Sequence, residues 1–104
     1  MSVVKVNPGI CGLNSTIAVE SDEMQTCCVK IESDCDSIKA MEEGLQDLDG
    51  YEECLNGFGD STVFQESKKH CKHACCPVPS AIIKAIEVEA GLALPKDVEF
   101  KISK

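Results

Sequence analysis

A chain of 104 residues, 43% of them apolar, has material for one modest core and so for a single domain spanning residues 1–104. Its net charge of −8 repels phosphate backbones and anionic lipid, which argues against nucleic acid and against a membrane surface as partners. Tyr51, Phe58, Phe64 and Phe100 are the only aromatics, so the core must be built mainly from Ile, Val, Leu and Met.

The opening Met1-Ser2-Val3-Val4-Lys5-Val6 lacks the apolar stretch of a secretory signal, and no run approaches the length of a membrane span. A cytoplasmic location is therefore expected, where reducing conditions disfavour structural disulfides. That matters because eight residues are cysteine, at positions 11, 27, 28, 35, 54, 71, 75 and 76. Thiols in such a setting bind metal, react, or fill apolar space, and at least half of these are assigned to filling.

Val3-Val4-Lys5-Val6 reads as a short strand stopped by Asn7-Pro8-Gly9. Ile10-Cys11 follows between two glycines, which would let backbone come close to a ligand and equally suit a plain bend. Thr16 to Glu20 and Thr26 to Glu32 read as two further strands joined by the polar loop Ser21-Asp22-Glu23-Met24-Gln25. In the third strand the period of two places Cys27, Val29 and Ile31 on the apolar face and Cys28, Lys30 and Glu32 on the other. Cys27 is thus expected in the core and Cys28 outside it.

Ser33-Asp34-Cys35-Asp36 offers caps for a helix running to about Leu48, with Ile38, Met41, Leu45 and Leu48 as its buried stripe. Cys35 stands at the start of this helix, where a thiol gains acidity, but the carboxylates of Asp34 and Asp36 act in the opposite sense. Residues 49–60, with Gly50, Gly57 and Gly59, read as a loop containing Cys54. Thr62 to Ala74 reads as a helix in which Cys71 and Cys75 are i,i+4 neighbours, and Pro77 ends it.

A last helix follows, with Pro79 in its first turn, Ile82, Ile83, Ile86 and Ala90 as its stripe, and Gly91 as its stop. Val98, Phe100 and Ile102 then alternate with Asp97, Glu99 and Lys101 as a half-buried strand. The expected architecture is α+β: about four strands in an antiparallel or mixed sheet, with two to three helices packed on one face.

The chemistry concentrates in His70-Cys71-Lys72-His73-Ala74-Cys75-Cys76-Pro77-Val78-Pro79. Thiolates and imidazole suit zinc, and thiolates suit iron–sulfur clusters. One reading therefore makes Cys71, Cys75 and Cys76 metal ligands, with Cys54, Cys11 or a histidine such as His73 completing the set. No Cys-x-x-Cys pair is present, which departs from the spacing of common fingers and ferredoxins.

The alternative is thiol chemistry at Cys76, a redox or persulfide thiol just ahead of a helix N-terminus, with Cys75 or Cys71 resolving it. A third reading leaves the cysteines structural and the function in contact with a protein partner. A phosphate-binding glycine loop, Gly-x-Ser-x-Gly and His-Glu-x-x-His are all missing, which argues against a stand-alone catalyst.

Two resemblances bear on this stretch. Cys76-Pro77-Val78-Pro79, followed by a helix, a turn and Val98-Glu99-Phe100-Lys101-Ile102, resembles the sulfur-carrier family of the TusA type. In that family a Cys-Pro-x-Pro motif opens a helix and its cysteine carries a persulfide, which points to Cys76 as carrier. The motif there follows the first strand, whereas here it comes late in the chain. The whole chain also resembles a small cysteine-rich family of anaerobic prokaryotes. The likeness lies in Pro8-Gly9-Ile10-Cys11-Gly12, Cys71-x-His73-Ala74-x-Cys76-Pro77-Val78-Pro79 and Lys84-Ala85-Ile86-Glu87-Val88-x-Ala90-Gly91-Leu92-Ala93-Leu94-Pro95-Lys96-Asp97-Val98. It implies an anaerobic, sulfide-rich setting and supplies no activity.

Overall fold

Alternating apolar residues fold the first third of the chain into a meander. A computed structural model describes all 104 residues. Strands β1 (Ser2–Val6), β2 (Ser15–Asp22) and β3 (Thr26–Ser33) pair antiparallel in sequence order. Ile17 lies opposite Ile31 and Val19 opposite Val29, and with Cys27 they form a fully buried inner face. Lys30, Glu32 and Glu20 project from the outer face, which has no helix covering it.

The fourth strand is not where alternation places it. β4 is the two-residue Leu48–Asp49, paired with Cys27 and Thr26 of β3. Val98, Phe100 and Ile102 alternate as a strand should, yet they lie in a segment without regular secondary structure and are 61%, 77% and 93% exposed. Alternation says that a segment can line one face of a sheet; it does not supply a neighbour for its backbone. The four-stranded antiparallel sheet thus has β1 as one edge and the short β4 as the other.

The segment after β3 is also reassigned. A single α turn, α1 (Asp36–Lys39), passes into a 3-10 turn at Ala40–Gly44 and ends before β4. Ile38, Met41, Leu45 and Leu48 are all buried as their spacing requires. A tightening helix that becomes a strand satisfies the same spacing, with Asp47 at φ 54° making the bend.

Residues 50–55 form helix α2 (Gly50–Leu55) rather than loop. Asp49 caps it, its carboxylate accepting from the N–H groups of Tyr51 and Glu52 at 3.0 and 3.2 Å. Gly50 is needed there: a Cβ would come 3.1 Å from Cys27 Sγ and 3.2 Å from Ala90 Cβ.

Helix α3 (Thr62–His70) is capped by Ser61, whose Oγ accepts from Phe64 N–H at 3.2 Å. The buried Glu53 carboxylate accepts from the N–H groups of Thr62 and Val63, both at 2.9 Å. Negative charge at the positive end of a helix stabilises both partners.

Helix α4 (Val78–Glu89) buries Val78, Ile82, Ala85 and Ile86 against the sheet. It ends where Gly91, at φ 77°, donates to Val88 O and Leu92 donates to Glu87 O. Its last residue, Glu89, accepts from Ser2 Oγ at 2.8 Å and Ser21 Oγ at 2.7 Å, which ties the helix to β1 and β2. No helix is long and apolar enough to cross a membrane.

Candidate functional site: a thiol pair between two helices

Helix α3 stops at His70, one turn sooner than its sequence pattern allows, so the expected i,i+4 face joining Cys71 to Cys75 does not form. Cys71 is the C-cap, held by its own N–H donating to Ser67 O at 2.8 Å, and from there the backbone is extended, at ψ 133°. The turn His73–Cys76 is closed by Cys76 N–H donating to His73 O at 3.3 Å. This geometry sends Cys75 and His73 into solvent and returns Cys76 to the core, where Cys71 and Cys76 are both partly buried.

The two inward thiols are neighbours. Burial pushes the Cys71 thiol up to about 11, and the charge of Cys76 is the next largest cause. The charge of Cys35 adds to the rise, and the Ser67 hydroxyl nearby donates to Val63 O at 2.7 Å. Cys71 Sγ also donates to the thioether of Met41 at 3.8 Å. Cys35, the N-cap of α1, packs against the same part of the core. The site therefore comprises the pair Cys71 and Cys76, with Cys35 and Met41 as further sulfur neighbours.

Cys35 and Met41 reach this site from elements distant in sequence. Cys35 is noticeable as a helix-capping cysteine and Met41 as one member of an apolar stripe. Nothing in their spacing relates either to residues beyond 70.

Cys76 precedes the N-cap of α4, which is Pro77. Proline at 77 and 79 removes two backbone donors, so only the Val78 and Ser80 amides remain to face an anion in that first turn.

The remaining thiols stand apart. Cys54, on α2, is partly buried beside Glu87 in the last turn of α4. Burial, then the charges of Glu87, Cys27 and Glu53, raise its thiol to about 11. It borders an open depression of about 360 Å³ with Phe58, Phe64, Ile83 and Lys84. Cys27 is fully buried, Cys28 lies on the other face, and Cys11 is exposed in the β1–β2 connection. No three of the His, Cys, Asp and Glu side chains gather closely enough to form a metal-binding group.

A family of unknown function, DUF6951, matches residues 2–102, and the chain belongs to that family. No curated protein and no solved structure matches it. The class is therefore a cysteine-rich α+β domain of DUF6951, and its activity has to be argued from the sulfur site.

Proposed function

We propose that this chain is a small dithiol protein that exchanges electrons or sulfur with a protein partner through Cys76, with Cys71 as the resolving thiol. The observation that supports this most directly is that the turn between α3 and α4 brings Cys71 and Cys76, and not Cys75, back against the same core, both partly buried. The Cys76 thiolate attacks one sulfur of a partner disulfide and expels the other as a thiolate, which takes up a proton. Cys71, once deprotonated, attacks the Cys76 sulfur, closing a Cys71–Cys76 disulfide and releasing the partner's second thiolate. Two electrons pass to the partner.

The mixed disulfide also removes the Cys76 charge, one of the causes that keep Cys71 protonated. The likeness of Cys76-Pro77-Val78-Pro79 to the TusA-type motif supports Cys76 as the reacting sulfur and assigns no part to Cys71. A persulfide on Cys76 would yield hydrosulfide when Cys71 attacks its inner sulfur. Re-reduction calls for a reducing compartment, in keeping with a cytoplasmic, anaerobic setting.

Met41 favours a second reading, in which zinc or an iron–sulfur cluster binds here. Cys71, Cys75 and Cys76 as ligands, with Cys54 or His73, would require the turn His73–Cys76 to refold around the ion. Cys35 and Met41 are soft donors already near Cys71. Anaerobic purification followed by assay of zinc, iron and acid-labile sulfide separates the two. Metal-free protein that forms a Cys71–Cys76 disulfide on mild oxidation supports the dithiol. Stoichiometric metal, whose removal exposes several thiols together, supports the metal centre instead.

A further inference from the structure

We infer that this chain associates with a second copy of itself by strand exchange, the segment Val98–Ile102 of each copy adding to the free edge of β1 in the other. The edge and the segment are matched in length, pattern and charge. β1 is Ser2–Val6, the outer strand of the sheet, and its unpaired side offers backbone groups to any extended segment. Val4 and Val6 are only partly buried and pack against the core from one side. The inner face is therefore unfinished where β1 ends the sheet.

Antiparallel pairing gives one full register. Val6 faces Val98, Lys5 faces Glu99, Val4 faces Phe100, Val3 faces Lys101 and Ser2 faces Ile102. The apolar side chains of the added strand then continue the inner face beside Val4 and Val6. On the outer face Lys5 meets Glu99, a cross-strand pair of opposite charge. Val98, Phe100 and Ile102, 61%, 77% and 93% exposed, would be covered in a single step.

The occupant is a second copy rather than the chain's own tail because of where the tail starts. Glu89 is bound to Ser2, so α4 delivers the tail at the Ser2 end of its own β1. From there the direct course is parallel to β1, and the register that keeps Lys5 opposite Glu99 sets Ile102 against Pro8, which has no N–H. The antiparallel register begins at the Val6 end, which the β1 of a symmetry-related copy can present. The family match extends to residue 102, so this segment is part of the domain.

Sedimentation of the full chain over a range of concentrations, combined with hydrogen exchange, tests the proposal. The expected result is a reversible dimer in which the amides of residues 98–102 and 2–6 gain protection as dimer forms. Phe100→Asp, at a site exposed in the monomer, should raise the dissociation constant by at least ~100-fold without altering the circular dichroism of the monomer. Glu99→Lys and Lys5→Glu should each weaken the dimer, and the double variant should restore it. A wild-type chain that stays monomeric overturns the proposal, whether residues 98–102 are unprotected or protected at every concentration by docking on their own sheet. A dimer insensitive to Phe100→Asp overturns it too, since another surface must then hold the copies together.

Discussion

Cys28 and Asp47 hold each other at the open side of the sheet. The Cys28 thiol donates to Asp47 Oδ1 at 3.7 Å, and the Asp47 N–H donates back to Cys28 Sγ at 3.5 Å. This contact secures the bend at Asp47 that brings Leu48 beside Cys27. It also separates two cysteines adjacent in sequence: Cys27 is 0% exposed, while Cys28 stays within reach of solvent. Iodoacetamide should therefore modify Cys28 at least ~100-fold faster than Cys27, whose access requires opening of the core. Peptide mass mapping over time checks this, and equal rates would contradict the assigned faces.

Alkaline pH should weaken the fold through its half-buried thiols. Folding raises Cys54 and Cys71 from 9.0 to about 11, and burial is the first cause for both. The unfolded chain then loses these protons more readily than the folded one. Their contribution to stability is fully present below pH 9 and declines as pH rises from 9 to 11. Denaturant titrations across that range should show stability falling, with a shallower fall in Cys54→Ala than in wild type. An identical slope in the variant would contradict the assignment.

Glu53 should be worth more than its place in a short helix suggests. Its carboxylate serves two amides at the start of α3 and is only 6% exposed. Glu53→Ala leaves those amides without an acceptor and should cost about 2–3 kcal/mol, with Glu53→Gln costing about 1 kcal/mol. Chemical denaturation measures both. A loss in Glu53→Ala no larger than in Glu53→Gln would show that water replaces the carboxylate.

Local patterns disclosed the elements whose burial is decided locally. β2 and β3 are legible because Ile17, Val19, Cys27, Val29 and Ile31 alternate and all fall on the inner face. The apolar face of α4 is legible through Ile82 and Ile86 for the same reason. The stripe Ile38, Met41, Leu45 and Leu48 reported burial correctly and geometry poorly, since a 3-10 turn followed by a strand keeps the same residues inside. α2 was hidden by Gly50, although Asp49 followed by Glu52 is a serviceable cap signal. Val98–Ile102 has a strand's pattern, but its pairing is a property of the fold and its partners.

The sulfur site was half legible. The density of cysteine between 71 and 76 marks the place, but which thiols turn inward depends on α3 stopping at His70 and on the turn closed by His73 and Cys76. Cys35 and Met41 arrive from elements far away in sequence, so no local spacing could reveal them.

Equilibration of the reduced protein in graded glutathione buffers, with disulfides mapped by mass spectrometry, tests the dithiol most directly. One two-electron transition should appear, with Cys71 linked to Cys76, and Cys71→Ser should convert it to a glutathione adduct on Cys76. If Cys71 and Cys76 both remain thiols while another pair oxidises, or if wild-type Cys76 accumulates as the glutathione adduct, Cys71 does not resolve Cys76 and the dithiol account fails.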